Sequence, residues 1–289
     1  MPENAPPRFD PDIRAYYERA AEESRLEGGP ARLEEIRTRE LILRHAPDPP
    51  AVVLDVGGAA GVYSFWLAER GYDVRLIDAV PRLIELARSR NAHASHQLAA
   101  CTVADARALP VPDHNADMVL LLGPLYHLVR SEDRHLALSE AARVLSAGGV
   151  LVAAAISRSA SALDGLSREV LRDPNFARIV EQDLVDGHHR NSTDRLDYFT
   201  TAYFHRPEDL RREVADAGFD VEGLYGVEGP AWILGDIEER LEDPERREIL
   251  LRVARALESE PSVLGSSAHL LVVGRKPNGD RLSTRRRGL

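Results

Sequence analysis

Short apolar runs alternate with amphipathic stretches along the middle of the chain. Runs rich in Val, Leu and Ile predict strands at 51–56, 72–78, 98–103, 117–123 and 150–156. The run at 51–56 is apolar apart from Asp55, which is typical of a parallel strand buried on both faces. Between the runs, apolar residues recur at helical spacing, as do Leu83, Ile84 and Ala87. Such alternation predicts a parallel sheet with right-handed crossovers.

The two ends of the chain follow other patterns. Residues 1–12 are polar and rich in proline, which predicts a disordered segment. Residues 13–46 predict two N-terminal helices, because Gly and Pro at 28–30 interrupt the helical spacing. Residues 277–289 include a basic run and predict a disordered tail.

A polar, aromatic-rich stretch at 157–206 interrupts the alternation, and it predicts an insertion or lid over the sheet. Further strands are predicted at 219–227 and 269–274, with helices between them. Together these elements predict a single α/β domain over 13–276. Its Rossmann-like sheet has seven strands, mostly parallel with one antiparallel strand near the edge, and helices on both faces.

Composition and charge exclude several kinds of binding partner and site. The formal net charge is −10, whereas a nucleic-acid binder needs a clustered basic surface, so we expect no nucleic-acid partner. Cys101 is the only cysteine, which excludes an intrachain disulfide and a thiolate metal cluster. No apolar run has the length of a membrane span, and the polar N-terminus is unlike a signal peptide. We expect a cytoplasmic protein without a membrane partner; a homodimer is one alternative for its oligomeric state.

A glycine-rich turn follows the first strand. Gly57, Gly58 and Gly61 come directly after Asp55 and Val56, and they lead into a helical stretch. In open α/β sheets, ligands bind beyond the carboxyl ends of the strands, and glycine lets the backbone approach a ligand closely. The alternative is a tight turn between strand and helix that binds nothing.

Two carboxylates follow the next strands. Asp78 ends the second strand, 23 residues after Asp55, where its oxygens can accept hydrogen bonds from a ribose diol. Asp105 follows the third strand, where it can accept from the amino group of adenine. Either residue could instead be a turn or N-cap aspartate.

A dinucleotide cofactor fits less well, because its fingerprint requires G-x-G-x-x-G. The required positions hold other residues: Ala59 and Val62 counted from Gly57, and Ala60 and Tyr63 counted from Gly58. Without these glycines the turn does not form a well-shaped binding site for a pyrophosphate. The sequence therefore favours a cofactor without a pyrophosphate.

In order and spacing, these motifs resemble the class I S-adenosylmethionine-dependent methyltransferases. The resemblance covers residues 50–156 well, and within the class it is similar to the small-molecule branch typified by quinone-biosynthesis C-methyltransferases (the type 11 domain). Ala59 departs from the pattern, because the family has glycine there. We expect the methyl group to be tolerated if φ at this residue stays negative.

The resemblance implies a role for each motif. Asp55 would order the loop near the methionine moiety, Asp78 would hold the ribose hydroxyls, and Asp105 would bind the adenine amino group. The full set of residues implied to bind S-adenosylmethionine is Tyr17, Arg37, Asp55, Gly57, Gly58, Gly61, Asp78, Ala79, Asp105, Ala106, Leu122 and Gly123. For Arg37, which would reach the cofactor carboxylate, surface exposure is the alternative.

Tyr126 and His127 follow the fourth strand, where side chains should face the sulfonium and the acceptor. His127 is the candidate general base for an acceptor that must lose a proton, and Tyr126 is the candidate for orienting that acceptor. Both could instead pack beside the cofactor without taking part in the chemistry.

Aromatic and histidine residues also occur in the first predicted helix and after the fifth strand, and such residues often line an acceptor pocket. They are Tyr16, Tyr17, His188, His189, Tyr198, Tyr203, Phe204, His205 and Trp232. No acidic or thiol partner lies at ligand spacing from the adjacent histidines, so no metal site is predicted there.

These observations predict an enzyme that transfers a methyl group from S-adenosylmethionine to an O, N or C atom of a small-molecule metabolite. Two alternatives remain open. One is a non-catalytic protein that binds the cofactor; the other is an enzyme in which the bound sulfonium assists a reaction without methyl transfer.

Overall fold

The computed structural model describes residues 10–19, 26 and 28–278. Its helices are α1 (Pro11–Arg19), α2 (Gly29–His45), α3 (Val62–Ala68), α4 (Pro81–Asn91), α5 (Pro124–His127), α6 (Ser131–Val144), α7 (Ala160–Ser167), α8 (Pro174–Asp186), α9 (Pro207–Asp216), α10 (Ile237–Glu242) and α11 (Pro244–Leu257). Its strands are β1 (Val52–Val56), β2 (Asp73–Asp78), β3 (Ala100–Val103), β4 (Ala116–Leu121), β5 (Leu145–Ile156), β6 (His188–His189), β7 (Ala202–Tyr203), β8 (Asp220–Gly226) and β9 (His269–Arg275).

One seven-stranded sheet organises the fold, in the order β3-β2-β1-β4-β5-β9-β8. The strands from β3 to β5 pair in parallel, whereas β9 runs antiparallel to β5 and β8. The predicted mostly parallel sheet with an antiparallel strand near its edge is therefore confirmed. The ribbon of β6 and β7 is separate from this sheet and was not predicted.

Helices cover both faces of the sheet. Successive side chains of a strand point to opposite faces, so Leu54 and Val53 of β1 belong to different cores. Leu54 lies in the core that α6 and α9 complete, and Val53 lies in the core that α2, α3 and α4 complete. Burial on both faces explains why the β1 sequence is apolar apart from Asp55 and does not alternate.

The predicted terminal segments fall largely outside the described residues, which exclude 1–9 and 279–289. The boundary predicted at residue 12 needs correction, because α1 begins at Pro11. Proline fits the first helical turn, since its missing N–H would be unpaired there, and the Asp10 carboxylate accepts a hydrogen bond from the Asp12 N–H at 2.8 Å. The second helix begins at Gly29, within the predicted break.

The segment 157–206 contains α7, α8, β6 and β7, and it meets α1 above the sheet. The rings of Tyr16 in α1 and Phe199 are 5.5 Å apart, and the ring of His127 in α5 lies 5.8 Å from Phe199. These contacts place the N-terminal helix and the inserted segment over the carboxyl end of β4. Within the described part of the chain, no helix has both the length and the apolarity that crossing a bilayer requires.

Candidate active site

A cleft opens where the strand order reverses beside β1, which pairs with β2 on one side and β4 on the other. Its atom-free space is about 1040 Å³, a volume that includes the open solvent at its mouth. The predicted site residues that line it are Tyr17, Asp55, Gly57, Gly58, Asp78, Ala79, Asp105, Ala106, Leu122, Gly123, Tyr126 and His127. The glycine turn and both later carboxylates thus converge on one space.

Each glycine of the turn is required for a different reason. Gly57 has φ +74°, and a Cβ there would lie 2.6 Å from the Pro124 ring. A Cβ on Gly58 would lie 2.5 Å from the Asp55 carboxyl group. Gly61 is outside the cleft lining, contrary to its predicted contact; with φ +88° it supplies the left-handed residue that begins α3.

Ala59 has φ +49°, so the condition under which we expected its methyl group to be tolerated, a negative φ, is not met. Its N–H donates to Asp78 Oδ2 at 2.9 Å, and this hydrogen bond helps to hold the left-handed conformation. A non-glycine residue pays about 1–2 kcal/mol for that conformation.

Replacing Ala59 by Gly should therefore stabilise the protein. Relief of the left-handed strain exceeds the extra unfolded-state entropy of glycine, and we expect a net gain of about 0.5–1 kcal/mol in urea unfolding. Ala60→Gly is the control, because Ala60 does not have a positive φ. This variant should lose about 0.5–1 kcal/mol in the free energy of unfolding. Equal losses in both variants would show that Ala59 is not strained.

Asp78 is buried, 7% exposed, and its carboxylate is held on both sides. Oδ1 accepts from the Val80 N–H at 2.8 Å, and Oδ2 accepts from the Ala59 N–H at 2.9 Å. Burial raises the pKa of Asp78, and the two N–H donors oppose that rise. Each oxygen retains acceptor capacity, so a pre-positioned carboxylate faces the cleft.

Asp55 is fully buried and lines the cleft. Its Oδ2 accepts from the Ser64 hydroxyl at 2.6 Å, whereas its Oδ1 has no hydrogen-bond partner. Burial raises the pKa of Asp55 to about 6, and the charge of Asp78 adds to the rise. An unpaired buried acceptor is costly, and a ligand that brings an ammonium donor would satisfy it.

Asp105 lines the cleft beside Ala106, as predicted, but its carboxylate is already paired. The Arg107 guanidinium binds both oxygens, at 2.9 and 2.7 Å, and also contacts Asp133 at 3.1 Å. This bidentate pair fixes the orientation of Asp105. Carboxylate oxygens have further lone pairs, so the pair remains compatible with accepting from an amino group.

His127 and Tyr17 form a contact at the mouth of the cleft. The Tyr17 hydroxyl lies 2.6 Å from His127 Nε2, and the rings are edge to face at 5.2 Å. The rings of Tyr126 and His127 are 4.6 Å apart. Burial lowers the pKa of His127 to about 4, so the imidazole is neutral at pH 7.

Arg37 is not where the resemblance placed it. It is fully buried, its Nε donates to the Val227 carbonyl, and its guanidinium contacts the carboxylates of Glu40 and Glu258. It is absent from the cleft lining, and surface exposure, the alternative, is wrong as well. A buried arginine needs paired carboxylates, and these come from α2 itself and from Glu258, which follows α11.

A second chamber adjoins the cleft, and Tyr17 and Tyr126 line both. Of the aromatic and histidine set predicted for an acceptor pocket, the chamber includes Tyr16, Tyr17, His189, Tyr198, Phe204 and Trp232, but not His188, Tyr203 or His205. It also includes Phe199, which the sequence analysis did not single out. The chamber lies between α1, α2 and the inserted segment.

The chamber wall also brings together Glu34, Glu228 and His269, whose ligand-type atoms lie within 4.8 Å of one another. His269 Nδ1 is 2.6 Å from Glu228 Oε1 and 3.7 Å from Glu34 Oε2. These residues come from α2, from the loop after β8 and from the start of β9. Their distance in the chain left no sequence signal for the cluster.

The cleft region matches a known family. Residues 54–153 match the family model described as a methyltransferase domain. Two curated demethylmenaquinone methyltransferases from Tropheryma whipplei are 32% identical over 133 residues, which is 45% of this chain and 53% of each relative. The chain thus spans about half the length of the curated relatives it matches.

Solved structures share the fold. An S-adenosylmethionine-dependent methyltransferase from Thermotoga maritima superposes with a TM-score of 0.57 at 18% identity, covering 91% of this chain and 99% of that one. A [4+2]-cyclase superposes with a TM-score of 0.52 at 19% identity, covering 85% and 81%. Over residues 54–153 the chain is thus similar to the class I S-adenosylmethionine-dependent methyltransferases. S-adenosylmethionine, the cofactor expected from the motifs, is confirmed.

The methyltransferase cleft fits this cofactor by its own chemistry. The unpaired Asp55 Oδ1 suits the ammonium of the methionine moiety, and the fixed Asp78 carboxylate suits two hydroxyl donors. The cleft also contains apolar side chains, Val80 and Leu83 among them, which suit the adenine ring.

Proposed function

We propose that this chain transfers a methyl group from S-adenosylmethionine to an O, N or C atom of a small-molecule acceptor. The observation that carries the proposal is the junction at Tyr17 and Tyr126, which line both the cleft and the second chamber. A donor in the cleft and an acceptor in the chamber would meet there. In-line displacement depends most on such alignment, which contributes up to about 7–11 kcal/mol in favourable cases.

Each cleft residue would have a distinct part in holding the cofactor. Asp78 would accept from the ribose hydroxyls, Asp105 from the adenine amino group, and Asp55 from the methionine ammonium. Gly57 and Gly58 would keep side chains out of the space beside them. The cofactor supplies an activated methyl group on a sulfonium, and the chain aligns it and excludes water.

The chamber supports a small acceptor rather than a nucleic-acid base. Its walls come from two N-terminal helices and from the inserted segment, which together would enclose an acceptor and exclude water. The net charge of −10 also disfavours a polyanion. A cytoplasmic location and a homodimer stay predictions.

His127 is expected to be a weak base at most. Because its pKa is about 4, its neutral form persists across the neutral range, but a group of such low pKa accepts protons poorly near pH 7. We expect kcat/KM to show no acid limb from His127 between about pH 5 and 8, and His127→Ala to reduce kcat/KM by about tenfold or less. An acid limb near pH 6.5 that disappears in the variant would contradict this prediction.

The test of the function is transfer of label. The full chain is incubated with methyl-labelled S-adenosylmethionine and a metabolite panel, and both products are followed by mass spectrometry. We expect label in one acceptor and an equal amount of S-adenosylhomocysteine. Product formation with the label kept on the cofactor would instead establish a sulfonium-assisted reaction, and tight cofactor binding without turnover across the panel would establish a binding protein.

A further inference from the structure

We propose that the acceptor is an organic amine, and that the second chamber binds its ammonium group at Glu34, Glu228 and His269. The inference rests on the proposed function, because it assigns the chamber to the acceptor. It names the chemical class of the acceptor and the residues that select it. It leaves open which atom of the amine receives the methyl group.

The first argument is the charge of the chamber wall. Its ionisable residues, apart from tyrosine, are Glu34, Asp164, Asp197, Glu228, Arg168, His189 and His269. Four carboxylates thus face one guanidinium and two imidazoles, so the wall is negative even when both imidazoles are protonated. A negative wall favours a cation and repels a carboxylate or phosphate acceptor.

The charges are also unevenly placed. Arg168 contacts Asp164 at 3.0 Å and Asp197 at 3.6 Å, so the guanidinium is held by two carboxylates on the side of the inserted segment. The cluster of Glu34, Glu228 and His269 has two carboxylates and one imidazole, and it is therefore negative in either protonation state of the imidazole.

The cluster is fixed before any ligand arrives. Glu228 is 1% exposed, and its Oε2 accepts from the Ser267 hydroxyl at 2.6 Å and from the His269 N–H at 3.0 Å. Its Oε1 lies 2.6 Å from His269 Nδ1, which orients the imidazole. Because these groups are already ordered, binding of a cation would cost little side-chain entropy.

Aromatic side chains complete the chamber. Tyr16, Phe199 and Trp232 line it, and the Trp232 ring is held by a hydrogen bond from Nε1 to the Ser266 carbonyl at 2.9 Å. Aromatic faces attract ammonium groups, and they also pack against an apolar body. A negative cluster beside aromatic walls suits an amine carried on an apolar or aromatic body.

The experiment compares matched ligands that differ only in the polar group. Calorimetry on the full chain, saturated with S-adenosylhomocysteine and freed of metals by chelator, would use tryptamine, tryptophol and indolepropionate, and then tyramine and tyrosol. We expect each amine to bind about tenfold or more tightly than its neutral or anionic partner. Glu34→Gln should abolish that preference, and Glu35→Gln, on the same helix but outside the chamber, should retain it.

Several outcomes would overturn the inference. They are equal or tighter binding of the alcohols or the carboxylate, absence of amine binding, or a preference that Glu34→Gln leaves intact. Stoichiometric binding of Mn²⁺ that amine binding requires would assign the cluster to a metal instead. The wild-type preference needs no variant, so misfolding of Glu34→Gln would not remove the test. Loss of the proposed function has a separate signature, namely failure to bind S-adenosylhomocysteine or to transfer label.

Discussion

Asp78→Ala should weaken the binding of S-adenosylhomocysteine by about 1.5–3 kcal/mol, which is roughly 10- to 150-fold in Kd. The loss reflects hydrogen bonds from two ribose hydroxyls to a charged acceptor that is buried and already positioned by the N–H groups of Ala59 and Val80. In water the same carboxylate would first have to lose its hydration and its freedom. Calorimetry on the wild type and the variant measures the difference directly.

Two controls separate this contact from general damage. Asp73→Ala removes an exposed carboxylate at the opposite end of the same strand, and the affinity should change by less than about 0.5 kcal/mol. Asp78→Asn keeps the shape and one acceptor oxygen, and it should give an intermediate loss. Because Asp78 also holds the turn at Ala59, the unfolding temperature of each variant is recorded. Equal affinity in the wild type and a folded Asp78→Ala would refute the assignment.

Gly57→Ala should destabilise the chain by about 2–5 kcal/mol and prevent cofactor binding. Two costs add. A left-handed φ of +74° costs an alanine about 1–2 kcal/mol, and a Cβ 2.6 Å from the Pro124 ring forces a shift that typically costs about 1–3 kcal/mol. That shift would move α5, which carries Tyr126 and His127 at the junction. Urea unfolding and calorimetry with S-adenosylhomocysteine would measure the two effects.

Gly218→Ala is the matched control, because Gly218 has φ +93° but a Cβ there would meet no atom within 4 Å. Gly218→Ala should lose about 1–2 kcal/mol in the free energy of unfolding, from the conformational cost alone. Its affinity for S-adenosylhomocysteine should be unchanged. The difference between the two variants isolates the contact with Pro124. If both lost the same stability, the close packing of the turn on α5 would not be energetically significant.

The core of the fold was predictable because its signals are local. The continuous apolar run of β1 and its counterparts predicted the central strands, and parallel pairing follows from helices between strands. The ribbon of β6 and β7 was missed, because two-residue strands carry no periodicity. The start of α1 was misplaced, because prolines near residue 11 indicate a helix start as readily as disorder.

The cofactor motifs were predictable for a related reason. Asp55 lies near the end of β1, Asp78 ends β2 and Asp105 follows β3. The carboxyl ends of parallel strands meet at one edge of the sheet, so the three carboxylates share one cleft. Local sequence predicted backbone conformation and ion-pair partners less well. Ala59 takes a positive φ that its own type disfavours, because the turn and the Asp78 carboxylate require it. Arg37 was misassigned, because its partner Glu258 lies 221 residues away.

The sequence by itself determined the sheet, the methyltransferase cleft and the three carboxylates around it, since each depends on a strand and the residues next to it. Only the tertiary structure decided the second chamber. Tyr17, Phe199, Glu34, Glu228 and His269 come from elements far apart in the chain, and they share one chamber because α1, α2 and the inserted segment pack over the sheet edge. The sequence gives the chemical type of each side chain, but packing across the whole domain decides which side chains contact one another.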